Sequence, residues 1–296
     1  MIQAKLHDGQ MIDVEIQGEG PNLLLPVNPH PIEGPQADEM VQWGVDPTLG
    51  RSLIDGLRDK FRVIAFDYEG HVLRAAKPDT LTPANISSDL LSIADAASAP
   101  QFAYYGYSWL ALSGMQLAIR SQRLSALVMG GFPPIDGPYQ EMLSVTRATH
   151  EMSCSASNSP NSSHSAAEEF DWSTVEVSMS EAQTKQFVTL YQRLQGFNDR
   201  SAQSKITCPR LCFTGTADKI DYGKRWGDVQ VDIVGPLMRG RSEIEDLGWD
   251  VQTLEGLDHT QAMQAVHVLP ILRPWLESTL TGRENAHLIS DSAADV

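Results

Sequence analysis

The strongest constraint on this chain is an alternation. Short strand-like runs recur at residues 22–27, 61–66, 103–106, 126–129, 210–213 and 249–254, with stretches of helical character between them. The run at 22–27 is apolar and too short for a helix, as a strand covered on both faces must be. Thr82-Pro83 opens one intervening helix: Thr82 is the N-cap and Pro83 takes the first helical position. Ile86, Leu90 and Ile93 then mark its apolar face at helical spacing. Shorter helices are read at 51–57 and 242–247, and a longer one at 109–121. Two strands at 3–7 and 12–17, joined by Asp8-Gly9, precede the series. Strand–helix alternation of this kind predicts an α/β protein: a mostly parallel sheet with helices on both faces.

The alternation stops between Ile135 and Ile206. Residues 153–165 are rich in Ser and Asn, the composition of a mobile segment. Beyond them, Ser180 followed three residues later by Gln183 forms a capping box, and Phe187, Leu190, Tyr191 and Leu194 form an apolar stripe behind it. The expected organisation is a core made of residues 1–135 and 206–281, a helical insertion at 136–205 lying over the sheet, and a polar, flexible tail at 282–296. Pro270 and Pro274 are expected to break the last helical stretch of the core.

Composition narrows the function classes. The 296 residues carry 22 basic and 38 acidic side chains, a formal charge of −16. A surface of that sign repels nucleic-acid phosphates and anionic lipid, so neither is an expected partner. The three cysteines, Cys154, Cys208 and Cys212, form no CxxC pair, and no metal site or disulfide is expected. The N-terminus lacks a basic-then-apolar leader, and no apolar run reaches the roughly 18 residues of a membrane span. The expectation is a cytoplasmic protein acting on a small molecule; self-association into a homo-oligomer is left open.

The chemistry is carried by three loops. Gly106-Tyr107-Ser108-Trp109-Leu110 lies where a buried strand meets a helix. A serine on that tight turn projects its hydroxyl above the sheet edge, and the backbone N–H of Trp109 is aimed at any oxyanion formed there. Asp218 follows the 210–213 strand, and His259 follows the 249–254 strand. In a parallel sheet all C-terminal strand ends share one edge, so Ser108, Asp218 and His259 can converge, in the chain order expected for such a triad. Asp136, on the loop after the 126–129 strand, is the alternative acid, while Asp258 reads as a turn residue. His30, His71 and Tyr107 are candidates to line the pocket, and Trp109 and Trp43 could join Tyr107 in an aromatic wall.

These segments, together with Phe66-Asp67-Tyr68-Glu69-Gly70-His71, resemble the α/β-hydrolase superfamily over most of the chain. The resemblance implies an eight-stranded sheet, a helical cap, no cofactor, and nucleophilic hydrolysis of an acyl or similar carbon centre. It also implies a second oxyanion donor, which by position is the backbone N–H of Asn28. A serine nucleophile argues against dehalogenase chemistry, which needs Asp. Two residues depart from the family pattern: Leu110 stands where the elbow has its second glycine, and Pro26-Val27 stand where a His-Gly pair is usual. The leading expectation is hydrolysis of a carboxylic ester or lactone. Cleavage of a C–C or amide bond stays open, because the Ser108-Trp109 pair is similar to that of prolyl aminopeptidases. A non-catalytic binding protein on the same fold also stays open, favoured by Leu110 and Pro26.

Overall fold

A computed structural model describes residues 1–156 and 179–292. Its main sheet has eight strands: β1 (Ile2–Lys5), β2 (Met11–Gln17), β3 (Asn22–Leu25), β4 (Arg62–Ala65), β5 (Phe102–Tyr107), β6 (Leu124–Gly130), β7 (Arg210–Gly215) and, after a separate hairpin, β10 (Trp249–Leu254). The spatial order is β1-β2-β4-β3-β5-β6-β7-β10. The pairs β1–β2 and β2–β4 are antiparallel, and every pairing from β4 to β10 is parallel. The C-terminal ends of β5, β7 and β10 therefore open on one edge, which is where the candidate residues sit.

The sheet divides two apolar layers, and β3 shows how. Leu24 packs with Ile86, Leu90, Ile93, Ala111 and Met115 from the helices Pro83–Ala96 and Trp109–Ala118. Leu23 and Leu25, pointing the other way, pack with Leu53, Ile54 and Leu57 of the helix Leu49–Leu57 and with Val268, Leu272 and Leu276 of the terminal helix. All three leucines are fully buried, which is why the strand reads as an unbroken apolar run. Thr82 accepts from the Asn85 N–H and caps its helix as the sequence indicates.

Three features differ from the sequence reading. The terminal helix runs unbroken from Ala265 to Ser292, through Pro270 and Pro274 and on into the segment expected to be a tail. Both prolines lie on its exposed side, one turn apart, so the carbonyls they leave without an N–H partner face water. The buried stripe on the opposite side, Ala265, Val268, Leu272, Leu276 and Leu280, holds the helix to the sheet. The second difference is a small antiparallel hairpin, β8 (Lys219–Asp221) with β9 (Gln230–Asp232), inserted directly after Asp218. Its strands are too short and polar to show a period. Finally, Ser153 and Cys154 belong to the helix Tyr139–Ala156 rather than to a loop, while residues 157–165 of the Ser/Asn-rich stretch lie outside the described residues.

Within the insertion, the helix Glu181–Gln192 starts at the Ser180–Gln183 capping box and lies against the helix Tyr139–Ala156. Its polar side clamps the segment after β4: Gln183 and Gln186 donate to the Leu73 and Val72 carbonyls, and Thr189 donates to Pro78. From the other side, Trp226 in the β8–β9 connection packs with Val145, Val231 and Ile233 and donates its indole N–H to Thr149. Among the described residues no helix is long and apolar enough to cross a membrane.

Candidate active site

Ser108 occupies a backbone conformation that few non-glycine residues adopt, φ 56° and ψ −128°. Such a residue costs about 1–3 kcal/mol and persists only when its surroundings impose it. Here they do: Ser108 N–H donates to the Gly130 carbonyl at 2.8 Å, and its own carbonyl accepts the first helical N–H groups, from Ala111 at 2.9 Å and Leu112 at 3.2 Å. The turn leaves Ser108 partly exposed at the start of the helix Trp109–Ala118.

The other two residues arrive on loops that are stitched together. Thr216 N–H donates to the Leu254 carbonyl and Ala217 N–H to the Leu257 carbonyl, while Gly256 N–H bonds the Thr216 hydroxyl. The loops come so close that a Cβ at Gly215 would stand 1.9 Å from the Leu257 carbonyl oxygen. Asp258 caps the short helix His259–Ala262 through a capping box with Gln261, which makes His259 the first helical residue and gives Asp258 a structural role.

These constraints place three side chains in line. His259 Nδ1 lies 3.0 Å from both carboxylate oxygens of Asp218, and Nε2 lies 3.1 Å from Ser108 Oγ. Asp218 is fully buried, and Thr214 Oγ1 donates to its Oδ2 at 2.7 Å. With a carboxylate accepting at Nδ1, the imidazole carries its proton there, and the Nε2 lone pair faces the serine. A serine hydroxyl next to an imidazole oriented in this way can be deprotonated as it attacks a carbonyl.

The alternative acid does not join this line. Asp136 also has a positive φ, 53°, but its carboxylate is exposed and bound to Arg200, which bridges to Glu243. His30 is exposed on the loop after β3, with its backbone N–H held by Asn28 Oδ1 at 3.0 Å. His71 is buried on the helix Tyr68–Arg74. Burial first, and then the nearby Lys77, push its pKa below the usual histidine value. Trp43 stands 38% exposed at the C-terminus of the helix Pro35–Gln42.

Tyr107 does more than line a wall. Its hydroxyl donates to the His259 backbone carbonyl at 2.8 Å, and its ring lies 5.1 Å, centroid to centroid, from the imidazole. Burial, reinforced by Asp218, raises the phenol pKa well above its ordinary value, so it stays a donor. Gly131, with φ 62°, makes room for it, because a Cβ there would fall 2.6 Å from the tyrosine ring. The sequence signal was only an aromatic residue before the serine, and nothing in it pointed to the His259 loop. Tyr107→Phe keeps the ring and loses a bond worth about 1 kcal/mol. The expected result is a several-fold fall in kcat with little change in KM; a change confined to KM would count against a histidine-positioning role.

Both departures in the sequence have a local explanation. Pro26 is the middle residue of a tight turn in which Val27 N–H donates back to the Leu25 carbonyl at 2.9 Å. Among the described residues, the backbone N–H groups of Asn28 and Trp109 have no acceptor. Leu110 is 7% exposed and packs into the core layer beneath the elbow. The close approach is made elsewhere: a Cβ on Gly106 would lie 2.5 Å from the Leu110 carbonyl oxygen, and one on Gly114 would lie 2.4 Å from the Tyr104 ring. Leu110→Gly should therefore empty a core position without improving the elbow. A stability loss of about 3–5 kcal/mol is expected, with no gain in the rate of Ser108 modification. Faster modification in that variant would show that Leu110 misplaces the turn.

This sheet order, with Ser108 on the turn after β5 and Asp218 and His259 on the loops after β7 and β10, is the α/β-hydrolase fold. Among solved structures the chain is similar to an esterase from Thermogutta terrifontis, at 16% identity over 94% of this chain and 98% of that one, TM-score 0.59. It is also similar to the enol-lactonase of Burkholderia xenovorans LB400, at 15% identity over 94% and 99%, TM-score 0.57. A third similar structure comes from work on carboxylesterases of the ammonia-oxidizing thaumarchaeon Nitrososphaera gargenis, at 18% identity over 95% and 100%, TM-score 0.58. No protein-family model matches the sequence, and no curated protein matches it either.

Proposed function

We propose that the protein is a serine hydrolase acting on carboxylic esters, lactones included. The observation that carries this reading is the unbroken line Asp218–His259–Ser108, with its hydrogen bonds of 3.0 and 3.1 Å ending on a strained, partly exposed serine. The similar structures support it, since they include esterases and an enol-lactonase.

In the proposed reaction Ser108 Oγ attacks the ester carbonyl as His259 Nε2 takes its proton. Asp218 holds the imidazole in the required tautomer and stabilises the imidazolium that forms. The backbone N–H groups of Trp109 and Asn28 hold the oxyanion, each such donor contributing about 3–4 kcal/mol. His259 then returns the proton to the leaving alcohol. Water, activated by the same base, releases the acid and restores Ser108. The insertion at 136–205 is assigned the role of a cap, because its Phe187 lies against Trp109, the residue next to the nucleophile. The experiment is a fluorophosphonate probe on the folded protein, followed by esters of graded acyl length. Covalent labelling confined to Ser108, lost in Ser108→Ala, is expected; a folded wild-type protein that does not label would sink the reading.

A further inference from the structure

Trp109, the residue after Ser108, is tied to a carboxylate that the proposed triad does not use. Glu69, on the first turn of the helix Tyr68–Arg74, accepts the Trp109 indole N–H at Oε1 with a 2.9 Å bond. Trp109 thus reaches in one step from the residue after Ser108 to the Glu69 carboxylate. The ring of Phe187, from the insertion, meets the indole edge-on at 5.5 Å, and the Tyr68 ring lies 6.2 Å from it, tilted by 39°.

Glu69 stands at the surface beside these rings. The side chain is open to water, yet protein encloses it closely enough for burial to raise its pKa above the ordinary carboxylate value. The indole hydrogen bond opposes that rise, and Asp67 adds to it. The neighbouring cations are engaged elsewhere: Arg74 pairs with Asp67, and Lys77 pairs with Asp8. Among the described residues no lysine or arginine pairs with Glu69. A carboxylate fixed by an indole, set among aromatic rings and lacking a cation, is a receptor for a positively charged group. The net charge of −16 also draws cations toward the protein.

Resting on the hydrolase reading, we propose that Glu69, backed by Trp109 and Phe187, is a subsite for an alkylammonium group, so that the preferred substrates are esters carrying a positive charge near the scissile bond. The bonds that form are an ion pair and hydrogen bonds from N⁺–H to the free carboxylate oxygen, with the aromatic edges excluding water. The charge can enter on either side of the ester, and matched substrates separate the two cases. On the acyl side, alanine methyl ester is compared with methyl isobutyrate, and ε-aminocaproic methyl ester with methyl heptanoate. On the alcohol side, aminoethyl butyrate is compared with propyl butyrate. Each pair differs by little more than an ammonium in place of a methyl group.

Proton release gives kcat/KM for each member, and the ratio within a pair is the readout. The wild-type protein should favour the ammonium member of at least one pair by about tenfold, the usual weight of one charge-assisted hydrogen bond. Glu69→Gln keeps the size and the indole acceptor and should bring that ratio close to one, and Glu69→Lys should invert it. Equal ratios in the wild type, or a preference that survives Glu69→Gln, would overturn the subsite while leaving the hydrolase reading in place. Absence of hydrolysis in every pair would also overturn it, and phosphonate labelling of Ser108 in the same preparation then shows whether the hydrolase reading stands.

Discussion

Ser108→Ala and His259→Ala are each expected to lower kcat/KM toward a good ester by about 10⁴-fold or more, and the double variant to lose little beyond either single change. The two side chains act through one proton. Without the hydroxyl, His259 Nε2 has nothing to deprotonate across its 3.1 Å contact; without the imidazole, the hydroxyl stays a neutral alcohol. Whatever turnover remains comes from the oxyanion donors and from binding, which neither change removes. Alanine replaces serine at the same positive φ without adding an atom, so the fold should survive, as an unchanged circular dichroism spectrum would confirm. Losses that multiply in the double variant would mean that the residues work independently, and the triad would be wrong.

The parts of this molecule that were legible in its sequence are those where one physical demand dominates a short stretch. The parallel sheet could be read because strands covered on both faces must be apolar at every position, as Leu23, Leu24 and Leu25 are. The convergence of Ser108, Asp218 and His259 could be read because each lies just past the C-terminal end of a strand of one parallel sheet. Local capping chemistry fixed the starts of the helices at Thr82 and Ser180. What could not be read depends on tertiary partners. Pro270 and Pro274 look like breaks until the stripe on the far side of their helix is seen to hold it down. The β8–β9 hairpin exists because Trp226 and Val231 find Val145, far away in sequence. What sets Asp218 apart from Asp136 is its contact with Thr214 and His259, where Asp136 meets Arg200. The partners of Tyr107 and Glu69 were equally silent, since the first bonds a carbonyl 152 positions away and the second an indole 40 positions away.

Asp218→Asn should cripple turnover by a factor on the order of 10⁴ while leaving the protein folded, and Asp136→Asn should leave activity close to wild type. The argument is one of tautomers. Asp218 accepts twice, from His259 Nδ1 and from Thr214 Oγ1. An asparagine fits the same buried space, and its carbonyl oxygen can still accept from Thr214. That orientation turns the amide NH₂ toward Nδ1, which must then be an acceptor, so the ring proton moves to Nε2. A protonated Nε2 faces Ser108 Oγ as a donor and cannot take the hydroxyl proton. Removing the carboxylate also leaves the developing imidazolium without its counter-charge inside the protein. Asp136 has no such leverage: its exposed pairing with Arg200 is worth about 1 kcal/mol at most, and its loss would be felt at the insertion rather than at the nucleophile. Steady-state kinetics on both variants, beside their thermal unfolding, make the comparison direct. If Asp136→Asn were the more damaging of the two, the proposed acid would be the wrong one.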